Sequence, residues 1–158
     1  MEKNKILTKK EMKRLFKNAK KQDNFLYVLL LISYEYALRL NEAVNLMLID
    51  INFKKMQIKI KNRECSIKQI SPEIALLLKE YISTIRTTSN KNEKHLFLTS
   101  SGKPINHDVI RSHLEKCLKK SKINKIATFY LIRRTKIHLL IEEVEMDCGL
   151  KTGLIDDD

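Results

Sequence analysis

Two arginines stand where that residue is expensive. Arg39, in "YALRLNEAV", closes the apolar run "FLYVLLLISYEYAL", and Arg133, in "TFYLIRRTKIHLL", is surrounded by Leu131, Ile132, Ile137, Leu139 and Leu140. A guanidinium buried at such a position without a partner destabilises the fold by several kcal/mol, so each needs a reason. One reason is structural. Glu42 lies three residues after Arg39 on the same helical side, and Arg133 can snorkel to the surface or pair with Glu142 or Glu143. The other is chemical: a guanidinium fork binds non-bridging phosphate oxygens in bidentate fashion and stabilises charge that builds on them during phosphoryl transfer. The lysines of "KKMQIKIKNRECSIKQI" place ammonium groups that can protonate a departing oxygen. Spacing alone leaves both reasons standing, because any basic helical domain contains such trios.

Other reactive residue types form no set of their own. His95, His107, His113 and His138 lack metal-ligand spacing, and Cys65, Cys117 and Cys148 are odd in number and far apart, which implies neither a disulfide framework nor a CxxC pair. A reducing compartment follows. Tyr27, Tyr34 and Tyr36 read as packing residues, and Gly102-Lys103-Pro104 as a turn with no phosphate loop. The 158 residues carry 31 Lys+Arg against 19 Asp+Glu, a formal charge of +12. That surplus favours a polyanionic partner through counterion release, nucleic acid first, although a lysine-biased surface alone would look the same.

The elements that must hold the arginines follow from periodicity. Thr8 and Glu11 have capping-box spacing for a basic amphipathic helix to about Lys21, and Asn24 is the expected cap of an all-round apolar core helix. "LNEAVNLMLIDI" is expected to continue helically after a break near Leu40 and Asn41, ending around Asp50. The period then becomes two: Met56, Ile58 and Ile60 alternate with Gln57, Lys59 and Lys61, and 66–70 returns after a turn at 62–64. This is a β-hairpin with a lysine-rich face. Ser71, Pro72 and Glu73 open a further helix, "RTTSNKNEK" is a loop, His95 to Leu98 a short strand, His107 to Lys120 a helix, and Thr128 the cap of the last helix. The fold class is α+β, mainly helical, with one small sheet. Its length suits a single domain, 1–158. The strongest apolar run is shorter than a bilayer span, and the N-terminus lacks a signal-type core, so no membrane partner is expected.

"LTKKEMKRLFKNA", "LLLISYEYALRLNEAVNLMLIDINF", the hairpin, "ISPEIALLL", "HLFLTSSGKPIN" and "TFYLIRRTKIHLL" occur in the order and spacing of the catalytic domain of tyrosine recombinases, the phage-integrase family. The chain resembles that domain from about residue 6 to residue 140, and 141–158 are expected to be a divergent or truncated end. The resemblance implies that Arg39 and Arg133 are the two catalytic arginines, that Glu42 supports the first, and that Lys61 is the catalytic lysine, with Lys59 and Lys68 on the same hairpin as the alternatives under a shift of register. Lys59, Arg63, Lys68, Lys103 and Arg134 are the expected DNA-binding groups around them. It further implies metal-free chemistry with no cofactor, double-stranded DNA as partner, other recombinase subunits on that DNA, and a cytoplasmic protein encoded by a bacterium, phage or mobile element.

Two departures bear on activity. Tyr130 stands where the family usually has histidine, and a phenol donates a hydrogen bond well but shuttles protons poorly at neutral pH. No tyrosine follows Arg133. The expectation is therefore the DNA-binding, phosphate-clamping portion of a site-specific recombinase, truncated or unable to cleave alone. The alternatives are a non-catalytic regulatory module with the same fold and, on charge alone, an RNA-binding or ribosome-associated protein.

Overall fold

In the computed structural model, residues 6–86, 92–125 and 129–147 are described, Asn24 by its backbone only. Thr8 and Glu11 form the capping box: the Glu11 N–H donates to the Thr8 hydroxyl at 3.2 Å, and the Thr8 N–H to the Glu11 carboxylate at 2.9 Å. Helix α1 (Lys9–Gln22) turns Met12, Leu15 and Ala19 inward, the stripe expected of a one-sided amphipathic helix. Asp23, and not Asn24, caps α2 (Asn24–Glu35), because Asp23 alone is extended between the two helices and its carboxylate accepts from the Phe25 N–H. Leu26, Leu29, Leu30 and Ile32 are fully buried, and α2 is the hub against which α1 and two later helices, α5 (His107–Lys120) and α6 (Phe129–Asp147), pack.

The break after α2 comes earlier than the sequence implies. Ala37 adopts φ +48°, a left-handed conformation that turns the chain before Arg39 caps the short helix α3 (Leu40–Val44). Nor does α3 reach Asp50: Met47 is extended and bridged to His95, and the Asp50 carboxylate accepts the Met47 N–H across a 3-10 turn, Leu48–Asp50. That side-chain cap competes with helical hydrogen bonding and wins locally.

The hairpin is present and has a third strand. β1 (Ile51–Asn52), β2 (Gln57–Lys59) and β3 (Ile67–Gln69) pair antiparallel in that order, with Ile58 opposite Lys68. The two-residue β1 is too short to show a period. Ile58 and Ile60 fill the buried face while Lys59 and Lys61 are exposed, as alternation requires. Helix α4 (Pro72–Glu80), capped by the Ser71 hydroxyl, runs on as a π-turn through Tyr81–Ile85. Burial pushes the Tyr81 phenol up to about 12, and its oxygen accepts the Leu98 N–H. The expected strand at His95 to Leu98 is instead a buried segment with two isolated bridges, Met47 to His95 and Leu98 to Pro104, tied down by Arg86, which donates to the carbonyls of Glu93, His95 and Leu96.

Helix α5 (His107–Lys120) has the expected limits, and the Asn106 side chain caps it. The cap expected at Thr128 lies outside the described residues. Helix α6 (Phe129–Asp147) is joined to the start of the chain by the buried Thr135, whose hydroxyl accepts the Leu7 N–H at 2.9 Å and donates to the Leu131 carbonyl. Cys65 and Cys117 are free thiols.

Candidate phosphate-binding site

The bend at Tyr36–Arg39 lies under the site. Its left-handed Ala37 presents a carbonyl that accepts two guanidinium N–H bonds, from Arg133 Nε at 2.9 Å and from Arg63 Nη2 at 3.0 Å. Arg133 reaches this carbonyl from α6 and so stands beside Arg39, two residues further along the chain. Neither arginine takes the structural partner that spacing offered. The Glu42 carboxylate is held by Arg63, through Nε to Oε1 at 2.7 Å and Nη2 to Oε2, and Glu142 faces His138 at 2.9 Å. Among the described residues no carboxylate lies within ion-pair distance of the Arg39 guanidinium.

Glu42 supports Arg39 through the backbone: its Oε2 accepts the Arg39 N–H at 2.7 Å, which fixes the start of α3. Burial alone would raise the pKa of this carboxyl, but the Arg63 bond, the Arg39 N–H and the two nearby positive charges outweigh it and hold the group below its ordinary value. It stays ionised.

Two cavities meet at Arg39. The larger, about 640 Å³, is lined by Arg39, Tyr130 and Arg133 together with Ile110, Leu114 and Leu118 of α5. The smaller, about 490 Å³, is lined by Arg39 together with Lys61, Asp50, Asn45 and His95. Arg39 is the wall they share. Lys61 lies 3.6 Å from the Asp50 carboxylate, which is 4% exposed against 47% for the lysine side chain, so Asp50 steadies the ammonium without removing it from solvent.

Arg39, Lys61, Tyr130 and Arg133 thus line adjoining spaces; Glu42 also lines the smaller one, and Arg63, bonded to Glu42, lines neither. Tyr130 is exposed, and the Arg134 guanidinium lies 5.8 Å from its ring centre. Lys59, Lys68 and Lys103 line neither cavity. Sequence reasoning passed over Ala37, Asp50 and His95. Nothing in an alanine announces a left-handed backbone, and the His95 ring, bonded through Nδ1 to Glu93 at 2.8 Å, enters the site by the long-range bridge to Met47. Among the described residues no group of three His, Cys, Asp or Glu side chains is placed to hold a metal ion, and no described helix is long and apolar enough to cross a membrane.

Comparison with known proteins gives three results. The model of the phage integrase family matches residues 5–147, which takes in 141–147 as well as the stretch from about 6 to 140 that carries the quoted motifs. No curated protein sequence matches the chain. Among solved structures, that of XerA recombinase superposes with a TM-score of 0.71 at 21% identity, covering 87% of this chain and 51% of that one. Two structures of XerH site-specific recombinase bound to difH substrate also reach 0.71: a pre-cleavage complex at 18% identity over 94% of this chain and 47% of that one, and a post-cleavage complex at 19% over 87% and 42%. At these identities the likeness is one of fold, and this chain spans about half the length of those it resembles.

Proposed function

The chain belongs to the phage integrase family, and on that premise we propose that it is the catalytic-fold domain of a site-specific tyrosine recombinase that grips one backbone phosphate of duplex DNA between Arg39, Arg133 and Lys61. The observation that carries this reading is the position of Arg39, common to the cavity that holds Arg133 and the cavity that holds Lys61. In the proposed step the arginines bind the non-bridging oxygens and hold the charge that grows on them as phosphorus becomes pentacoordinate. A tyrosine hydroxyl loses its proton to solvent and bonds to phosphorus, the bond to the 5′ oxygen breaks, and Lys61 gives that oxygen a proton. Tyr130, at the rim, donates a hydrogen bond to a phosphate oxygen.

The attacking tyrosine is not among the groups this sequence supplies. Its five tyrosines are Tyr27, Tyr34, Tyr36, Tyr81 and Tyr130, and of these only Tyr130 lines the cavity with Arg133. A second reading keeps the phosphate clamp without the chemistry, a domain that occupies DNA without cutting it. The two readings share the phosphate clamp and differ in chemistry, so one assay separates them. Incubated with a suicide duplex, the chain is expected to form no covalent adduct on a denaturing gel; an adduct that vanishes in Tyr130→Phe would assign Tyr130 as nucleophile and contradict the proposed roles. DNA binding itself is expected to weaken steeply with salt, since the contacts are to phosphates. Salt-insensitive affinity would contradict it. Other recombinase subunits on the same DNA remain the proposed further partner.

A further inference from the structure

The hairpin arginine, Arg63, is expected from its charge to touch DNA, yet its side chain is only 20% exposed and four hydrogen bonds take it up inside the protein. Two go to the Glu42 carboxylate, one to the Tyr36 carbonyl at 3.1 Å and one to the Ala37 carbonyl at 3.0 Å. Two of these partners lead to different members of the clamp, and the chain itself leads to the third. Glu42 holds the Arg39 N–H, the Ala37 carbonyl also holds Arg133, and Arg63 itself lies two residues beyond Lys61 on the hairpin. We propose that Arg63 is a positioning residue that fixes Arg39, Arg133 and Lys61 relative to one another and makes no DNA contact of its own. The proposal rests on the phosphate-clamp reading above.

The geometry suits a guanidinium and no other side chain. Four N–H groups in a planar fork meet a carboxylate edge and two carbonyls at once, whereas an ammonium offers three donors from one point and cannot span them. Lysine would preserve the charge and lose the arrangement. Placement also explains why the carbonyl of a left-handed alanine is tolerated facing two cations: without both donors it would be a strained turn with an unsatisfied acceptor.

The test is duplex DNA binding against salt for the full chain and four variants: Arg63→Lys, Glu42→Gln, the double Arg39→Gln/Arg133→Gln, and that double with Arg63→Lys added. Positioning predicts that Arg63→Lys weakens binding about tenfold with a shallower salt slope although no charge is lost. It predicts that Glu42→Gln also weakens binding, although it adds one positive unit to a net charge of +12. In the background lacking Arg39 and Arg133, the further loss from Arg63→Lys should shrink to the part that acts through Lys61. Tighter binding by Glu42→Gln, full affinity in Arg63→Lys, or an undiminished extra loss in the double background would each overturn the proposal. So would a lowered unfolding temperature with unchanged DNA binding, which assigns Arg63 a purely structural role. If the double Arg39→Gln/Arg133→Gln itself binds as the parent does, the fault lies with the clamp reading. Glu42→Gln is nearly isosteric and keeps the test decisive if Arg63→Lys does not fold.

Discussion

Ala37 and Thr135 show how single residues carry the site. Ala37 holds a conformation that costs a residue with a Cβ about 1 kcal/mol, and it does so because its carbonyl must meet Arg63 and Arg133. Replacing it with glycine should therefore raise stability by up to about 1 kcal/mol in urea unfolding, without weakening DNA binding. A loss of stability would mean that the alanine methyl packs more than the backbone strains. Thr135 is buried and uses its hydroxyl twice, so Thr135→Val should destabilise by about 1–3 kcal/mol by leaving the Leu7 N–H unsatisfied. Sequence patterns show neither role. The arginines were legible because a charge in an apolar run demands an explanation, whereas a left-handed alanine and a long-range hydroxyl bond leave no mark on composition or period.

Elements with caps were the legible ones. Thr8 and Ser71 each satisfy free N–H groups at a helix start through their own side chains, which is why the starts of α1 and α4 follow from residue type; Asn106 does the same for α5, a cap that sequence reasoning did not name. Ser71→Ala should cost about 1 kcal/mol in the same unfolding experiment, and an effect near zero would show that Pro72 and packing alone hold α4 in place. Elements set by distant partners were misread for a physical reason. The segment after α3 looks helical but bridges to His95, the segment at 95–98 looks like a strand but pairs only at isolated points, and β1 exists through its partner β2. The hairpin kept its register because Ile58 and Ile60 cannot leave the buried face without exposing the whole strand. That constraint puts Lys61 on the solvent side, where the proposed chemistry requires it.

For the whole molecule, stability should respond to acid through two buried-edge carboxylates. Burial works to raise the pKa of Glu11 and of Glu42, but Lys125 with the Thr8 N–H and Arg63 with the Arg39 N–H outweigh it, and both groups end below 4.5. A carboxyl that binds its proton less readily when folded stabilises the fold above its unfolded pKa and loses that contribution as pH falls through its folded value. The urea midpoint should thus be level above about pH 5.5, on this linkage, and fall below 4.5, with Glu11→Gln/Glu42→Gln flattening the fall. A fall in the double variant as steep as in the parent would contradict the assignment. The proposed clamp is the part of the molecule on which the proposed function rests, and its residues come from three separated stretches of chain around Arg39. Nitrogen-15 spectra of the arginine Nε–H and lysine ammonium groups during titration with inorganic phosphate test it most directly. A single phosphate site predicts that Arg39, Arg133 and Lys61 shift together along one saturation curve while Arg63 keeps the signal of a fully bonded fork; separate curves, or shifts confined to the exposed lysines, would contradict it.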